Sequence, residues 1–154
     1  GYRWEHKREN ILLQKEAASK KDIAIHSDIE TDIFVYIDKY MIDTVIRNIT
    51  SNAIKFTPEG GEVKIFSLDA GDFVEVAIED TGIGIPGENI SKLFIIDSYH
   101  STKGTFKETG TGIGLIISKE FIEKNGGEIK VESKVGEGSR FSFTIPKFQE
   151  QTGS

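Results

Sequence analysis

The 154-residue sequence predicts a two-layer α/β sandwich with a mixed sheet and helices on one face. Three features carry that reading. Residues 38–56 and the run from Leu115 onward show helical apolar spacing. Two pairs of alternating runs, 61–67 with 72–79 and 128–133 with 139–145, each fold about a glycine-containing turn and predict hairpins. Helices and strands alternate only loosely, so the strands are expected to pair in both senses.

In chain order, residues 4–20 read as a first helix covering the sheet, because Ile11, Leu12, Leu13, Ala17 and Ala18 recur on one side among charges. Asp22–Ser27 and Ile33–Ile37 are short β-rich runs. Asp38 suits the N-cap of a second helix that runs to about Phe56 and is stopped by Pro58 and Gly60-Gly61. In that helix Met41, Ile42, Val45, Ile46, Ile49, Ala53 and Phe56 fill one arc, while Asp43, Arg47, Thr50 and Ile54 lie opposite or beside it. Asn52 falls inside the arc and Asn48 and Lys55 stand on its edge, so one ridge turns from apolar to polar. A buried asparagine without a partner costs about 1–3 kcal/mol. Either neighbouring backbone satisfies it, or a ligand or its metal does, and an amide oxygen is a suitable hard ligand for Mg²⁺.

The hairpin 61–79 turns at Asp69-Ala70-Gly71, and its second strand, Phe73–Ile78, delivers Asp80 where the backbone bends into Thr81-Gly82-Ile83-Gly84-Ile85-Pro86. Gly82 and Gly84 let main chain approach a flat or charged ligand. A carboxylate at that lip can accept from an exocyclic amino group, which adenine has and guanine lacks at the same position. Such a bond is worth about 1.5–3 kcal/mol. A surface turn with a capping Asp is the plain alternative.

Glu88–Phe94 gives a short helical turn. Residues 97–110, including Ser101-Thr102-Lys103-Gly104-Thr105, have little to bury and suggest a lid. Gly110-Thr111-Gly112-Ile113-Gly114-Leu115 then opens a helix with Leu115, Ile116, Phe121 and Ile122 inward. Glycines at a helix start expose N–H groups to an anion, although a flexible hinge would read the same way. No strand directly precedes them and no Gly-x-x-x-x-Gly-Lys-Ser/Thr run occurs, so neither a dinucleotide fold nor a P-loop fits. Asn125-Gly126-Gly127 ends the helix before the closing hairpin over residues 135–138.

Composition sets outer bounds. The chain is 37% hydrophobic and 29% charged, ordinary for one globular domain, and no apolar run approaches the roughly 18 residues of a membrane span. With no cysteine it has neither disulfides nor thiolate metal sites. The net charge of −6 argues against nucleic acid and anionic membranes. A polyphosphate ligand would need a divalent cation and a lysine or two to offset like charge.

Taken together, these segments resemble the sensor histidine kinases. Arg47 to Thr57 looks like their N box, Asp80 to Pro86 their G1 box and Gly110 to Leu115 their G2 box. Leu93-Phe94 stands where the F box begins, and Gly136-Glu137-Gly138-Ser139-Arg140-Phe141 resembles the closing strand pair. The set covers roughly residues 10–146 in the family's order and spacing. The resemblance implies the Bergerat ATP-binding fold, shared with gyrase-type, MutL-type and chaperone ATPases.

Carried over residue by residue, it implies that Asp80 accepts from the adenine amino group and that Asn52 coordinates Mg²⁺ bridging the phosphates of ATP, with Asn48 beside it. Lys55 would contact phosphate and Phe56 would pack on adenine. Gly82, Gly84 and Ile85 would line the base pocket. Gly110, Thr111, Gly112, Gly114 and Leu115 would cradle phosphate under a lid spanning about residues 95–111, with Lys103 a candidate γ-phosphate contact. Asn52 and Lys55 would serve the transfer itself.

Two departures stand out. Ile95-Ile96-Asp97 follow Phe94 where the family usually places a second aromatic. The phosphoacceptor motif, His followed by an acid and Arg-x-Pro, is absent: His6 precedes Lys7-Arg8-Glu9, His26 lies in a strand and His100 in the lid. The expected organisation is a linker or appended end over 1–9, the catalytic domain over 10–147 and a tail over 148–154. It would act in the cytoplasm as a monomer, serving a histidine on a separate dimerisation domain and, indirectly, a response-regulator receiver. An anti-sigma serine kinase and a non-catalytic nucleotide-binding module remain the alternatives.

Overall fold

The computed structural model describes residues 2–4, 18–28, 33–35, 38–90, 93–94 and 113–147. Its elements are β1 (Tyr2–Trp4), β2 (Ala24–Asp28), β3 (Ile33–Val35), α1 (Lys39–Lys55), β4 (Glu62–Ala70), β5 (Phe73–Asp80), α2 (Gly87–Ile90), α3 (Ile113–Lys124), β6 (Ile129–Lys134) and β7 (Gly138–Pro146). The main sheet has five strands in the order β2-β4-β5-β7-β6. The β2–β4 pair is parallel and the other three are antiparallel, so the sheet is mixed as expected.

The core lies between one face of this sheet and the helices. Ile42, Val45, Ile49 and Ala53 of α1 meet Val63 and Ile65 of β4, Val74, Val76 and Ile78 of β5, and Phe141, Phe143 and Ile145 of β7. Leu115 and Ile122 of α3 join them, and α1 and α3 pack on each other as well as on the strands. Each strand contributes alternate residues, as a sheet with one covered face requires. Among the described residues no helix is long and apolar enough to cross a membrane.

Local chemistry fixes the ends. Asp38 caps α1 by accepting from Met41 N–H at 3.1 Å. The α3 helix closes in a Schellman motif, with Gly127 N–H on Ile122 C=O at 2.9 Å, Gly126 N–H on Glu123 C=O at 3.1 Å, and Gly126 at φ +87°. The same pattern ends the helical residues 18–20, where Ile23 N–H reaches Ala18 C=O at 2.9 Å and Asp22 takes φ +54°.

Three sequence expectations need correction. Trp4 belongs to β1, which pairs antiparallel with β3, rather than to a helix beginning at residue 4; a three-residue strand is too short to show a period. The rest of that helix, residues 5–17, lies outside the described residues. The β4–β5 turn is Gly71-Asp72, one residue later than read, because Ala70 still pairs with Phe73 and Gly71 supplies the φ of +77° that a two-residue hairpin needs. Thr50 and Ile54, placed outside the apolar arc, are buried at 1% and 3% exposure, Ile54 in the same cluster as Ala18 and Ile23. The helix is therefore covered on two flanks, by α3 and by the 18–23 turn.

Candidate functional site

The β-ladder places Asp80. It continues the inner stripe Val74, Val76, Ile78 by two residues and stands opposite Val63 and Ser139, while Ser139 stands opposite Ser133. The inner face thus ends in a polar row, Asp80–Ser139–Ser133, beyond the apolar row Ile65–Ile78–Phe141–Val131. Asp80 is 8% exposed, and its Oδ1 accepts from Gly82 N–H at 2.8 Å and Ser139 N–H at 3.2 Å. Burial pushes its carboxyl above the ordinary range, against the pull of those two N–H donors. Oδ2 receives no hydrogen bond among the described residues and is the acceptor left for a ligand.

The glycine-rich loop after Asp80 is strapped to protein on two sides. Ile83 N–H donates to Phe56 C=O at 3.2 Å, and Gly136 N–H donates to Ile83 C=O at 2.9 Å. A Cβ on Gly82 would lie 2.5 Å from Phe56 O, and one on Gly84, at φ +77°, would lie 2.2 Å from Lys134 O. The sequence reading gave these glycines room for a ligand. In the structure that room is filled by neighbouring backbone, so the glycines first of all let the loop lie against α1 and the β6–β7 turn.

From α1, Asn48 Nδ2 donates to Gly114 C=O at 3.2 Å, tying the middle of the helix to the first turn of α3. A Cβ on Gly114 would meet Asn48 Cγ at 3.3 Å. Asn52 is half-buried, and its side chain makes no hydrogen bond among the described residues. Its amide oxygen is therefore open, and it is the donor type that Mg²⁺ accepts when waters and phosphates complete the octahedron. Lys55 Nζ lies 4.8 Å from the centroid of the half-buried Phe56 ring. Ile85 is half-buried and its N–H donates to Ser133 Oγ at 2.7 Å. The Leu115 side chain is 4% exposed and belongs to the core, which leaves its main chain for any phosphate contact.

Asn48 with Gly114, and Phe56 with Gly82 and Asp80, are thus joined by direct contacts, and α1, which also carries Asn52 and Lys55, connects the two sets. Lys103, Gly110, Thr111, Gly112 and the 95–111 lid lie outside the described residues. A concavity of about 540 Å³ at the same strand ends is lined by the outward row Lys64, Glu79, Arg140 and Glu132 together with Asp80, Ser133 and Ser139. Arg140 there is engaged with Glu79 at 3.4 Å and with the Phe66 ring at 5.2 Å, so its charge is locally answered.

Sequence reasoning missed three contributors. Lys21, 7% exposed, donates from Nζ to the carbonyls of Ile54 at 3.0 Å and Lys55 at 3.1 Å, at the end of α1 that carries the site. Nothing in the sequence marks that lysine. Ser133 and Ser139 could have been found by counting strand parity from Asp80 once the β5–β7–β6 order was known.

An Asp at the end of an inner strand, an Asn-bearing helix above it and a glycine-rich helix start held to that helix define an ATPase domain. The chain belongs to the family described as histidine kinase-, DNA gyrase B-, and HSP90-like ATPase, whose model matches residues 37–149. Within it, the chain has the fold of a histidine kinase catalytic domain: that of the kinase ThkA superposes with a TM-score of 0.76 at 34% identity, covering 91% of this chain and 90% of that one. The sensor histidine kinase WalK of Bacillus subtilis is 40% identical over 127 residues, and the aerobic respiration control sensor ArcB of Escherichia coli 39% identical over 114. Those matches cover 79% and 72% of this chain but only 20% and 14% of the two relatives. ThkA has also been solved in complex with the response regulator TrrA, and that structure matches with a TM-score of 0.72 at 31% identity, over 92% of this chain and 39% of that one.

Proposed function

We propose that this domain, spanning residues 10–147, binds Mg·ATP and supplies the γ-phosphoryl group to a histidine on a separate dimerisation domain, from which it passes to a response-regulator aspartate. The observation that carries the reading is the joining of three distant segments: Phe56 to Ile83 and Asn48 to Gly114 hold the asparagine helix against both glycine-rich stretches, with Asp80 buried between.

In this reading Asp80 Oδ2 accepts from the adenine amino group while Oδ1 stays fixed by Gly82 and Ser139. Gly82, Gly84 and Ile85 form the wall on one side of the base, and Phe56 packs on the base. Lys55 reaches phosphate, and Lys103 approaches the γ-phosphate from the lid. Gly110, Thr111, Gly112, Gly114 and Leu115 present main chain to the phosphates. Asn52, with Asn48 beside it, holds Mg²⁺, which when bound neutralises charge on the phosphates. A nitrogen of the acceptor histidine attacks the γ-phosphorus, the bond to the β–γ bridging oxygen breaks, and ADP leaves. The protein contributes alignment and charge neutralisation rather than covalent chemistry. The domain acts in the cytoplasm as a monomer, relying on the dimerisation domain for the acceptor.

The test mixes the domain with a dimerisation hairpin and ATP labelled at the γ-phosphate. An acid-labile phosphohistidine is expected. An acid-stable phosphoserine would identify a serine kinase instead, and nucleotide binding with no transfer to any matched acceptor would leave a binding module.

A further inference from the structure

The Ser133 hydroxyl sits at a junction that neither the sequence motifs nor the proposed nucleotide contacts use. It accepts from Ile85 N–H at 2.7 Å, lies 3.0 Å from Gly138 C=O and lies 2.7 Å from Ser139 Oγ. A serine hydroxyl has one proton and two lone pairs. With the proton on Gly138 C=O, the Ser139 hydroxyl is the donor in the serine pair, and every bonding position of Ser133 is filled. Ser139 in turn gives its own N–H to Asp80 Oδ1. One oxygen atom therefore joins the far end of the Asp80 loop to the residue that steers the Asp80 carboxylate. The other attachments of residues 82–86 at Ile83 run backbone to backbone, through Phe56 C=O and Gly136 N–H. Toward β6, Ser133 is the side-chain tie.

The geometry points to Ser133 as a positioning residue for adenine recognition: by holding Ile85 and Ser139 together across β6 and β7, it sets both the wall of the base pocket and the aim of Asp80. This rests on the nucleotide reading above. Removing the hydroxyl leaves Ile85 N–H and the Ser139 hydroxyl without their acceptor and lets the loop drift from Asp80, so the base edge should be read less sharply even where the fold persists.

The test is calorimetric titration of the domain with Mg·ATP and with the triphosphate of purine riboside, which lacks the 6-amino group, in the parent, Ser133→Ala and Ser133→Thr. Losing one neutral hydrogen bond corresponds to roughly a two- to tenfold change in an equilibrium constant. Ser133→Ala is expected to lose about tenfold in ATP affinity and to narrow the preference for the 6-amino nucleotide by about threefold. Ser133→Thr, which keeps the hydroxyl, should return both to within about twofold of the parent. A Ser133→Ala domain with parental affinity and preference overturns the inference alone. So does one that melts earlier yet keeps the parental preference, since that is a structural role only. A parent that binds no ATP overturns the nucleotide reading itself.

Discussion

The ammonium of Lys21 lies 3.0 Å from the Ile54 carbonyl and 3.1 Å from that of Lys55, buried at the C-terminal end of the helix that bears Asn48, Asn52 and Lys55. A cation there answers the negative end of the helix, bonding the Lys55 carbonyl and adding to the Ile54 carbonyl, which also accepts from Thr57 N–H at 3.3 Å. Lys21→Met keeps most of the stem but withdraws the charge. We expect it to lower the unfolding free energy by about 2 kcal/mol, the scale of a hydrogen bond to a charged group, measured by urea denaturation.

Asp80→Asn separates recognition from stability. Asparagine can still accept from Gly82 and Ser139 N–H through its oxygen, but it puts an NH₂ where Oδ2 was, donor facing donor. Titration should show no ATP binding; normal affinity in this variant would refute the role given to Asp80. The stability sign is the reverse of the usual carboxylate. Because burial raises the folded carboxyl above 3.8, folding favours its protonated form. The parent's stability from this group is full below the unfolded value of 3.8 and falls as pH rises through the raised folded value. At pH 7 the variant, which carries no charge to desolvate, should melt no lower than the parent, and the gap between them should shrink as pH falls toward 3.8.

Asn52→Ala and Asn48→Ala should part company. Asn52 has no side-chain bond among the described residues, so its loss should leave the melting temperature within about a degree while Mg²⁺-dependent transfer falls by about a hundredfold or more. Unchanged transfer would count against metal ligation. Asn48 holds Gly114 C=O at 3.2 Å, so its removal should cost about 1 kcal/mol of stability as well.

Gly84→Ala should fail at the loop. Its φ of +77° is strained for any Cβ, and the added carbon would lie 2.2 Å from Lys134 O. Loss of ATP affinity by tenfold or more, with hydrogen exchange accelerated at Gly136, is the expected result.

Thr50→Val runs the other way. The Thr50 hydroxyl is buried with no partner among the described residues, and valine matches its shape. Denaturation should show a gain of about 1 kcal/mol, with nucleotide binding unchanged.

Much of this was legible in the residues alone. Period-two alternation in 73–78 put Asp80 at a strand end, and the β4–β5 and β6–β7 hairpins form where their turn residues indicated, the first one residue later than read. The asparagine ridge of α1 was visible because polar residues interrupt an apolar arc. What stayed hidden depends on who neighbours whom. Ile54 reads as lying off the apolar arc until its burial with Ala18 and Ile23 is seen, and nothing local singles out Lys21. Ser133 and Ser139 acquire meaning only through the pairing of β5 with β7 and of β7 with β6, which no local pattern encodes. The reason for Gly82 and Gly84 was likewise set by contacts from Phe56 and Lys134, distant in the chain.

Because Asp80 owes its place on the inner face to strand parity, its address is inherited from the seven residues before it. Deleting any single residue between Phe73 and Glu79 would swing the carboxylate to solvent and put Thr81 in its inward position, reversing the stripe beyond the deletion. Strand length in this hairpin is thus as much a determinant of ligand choice as any side chain in the cleft, and lineages of this domain should tolerate insertions there only in twos.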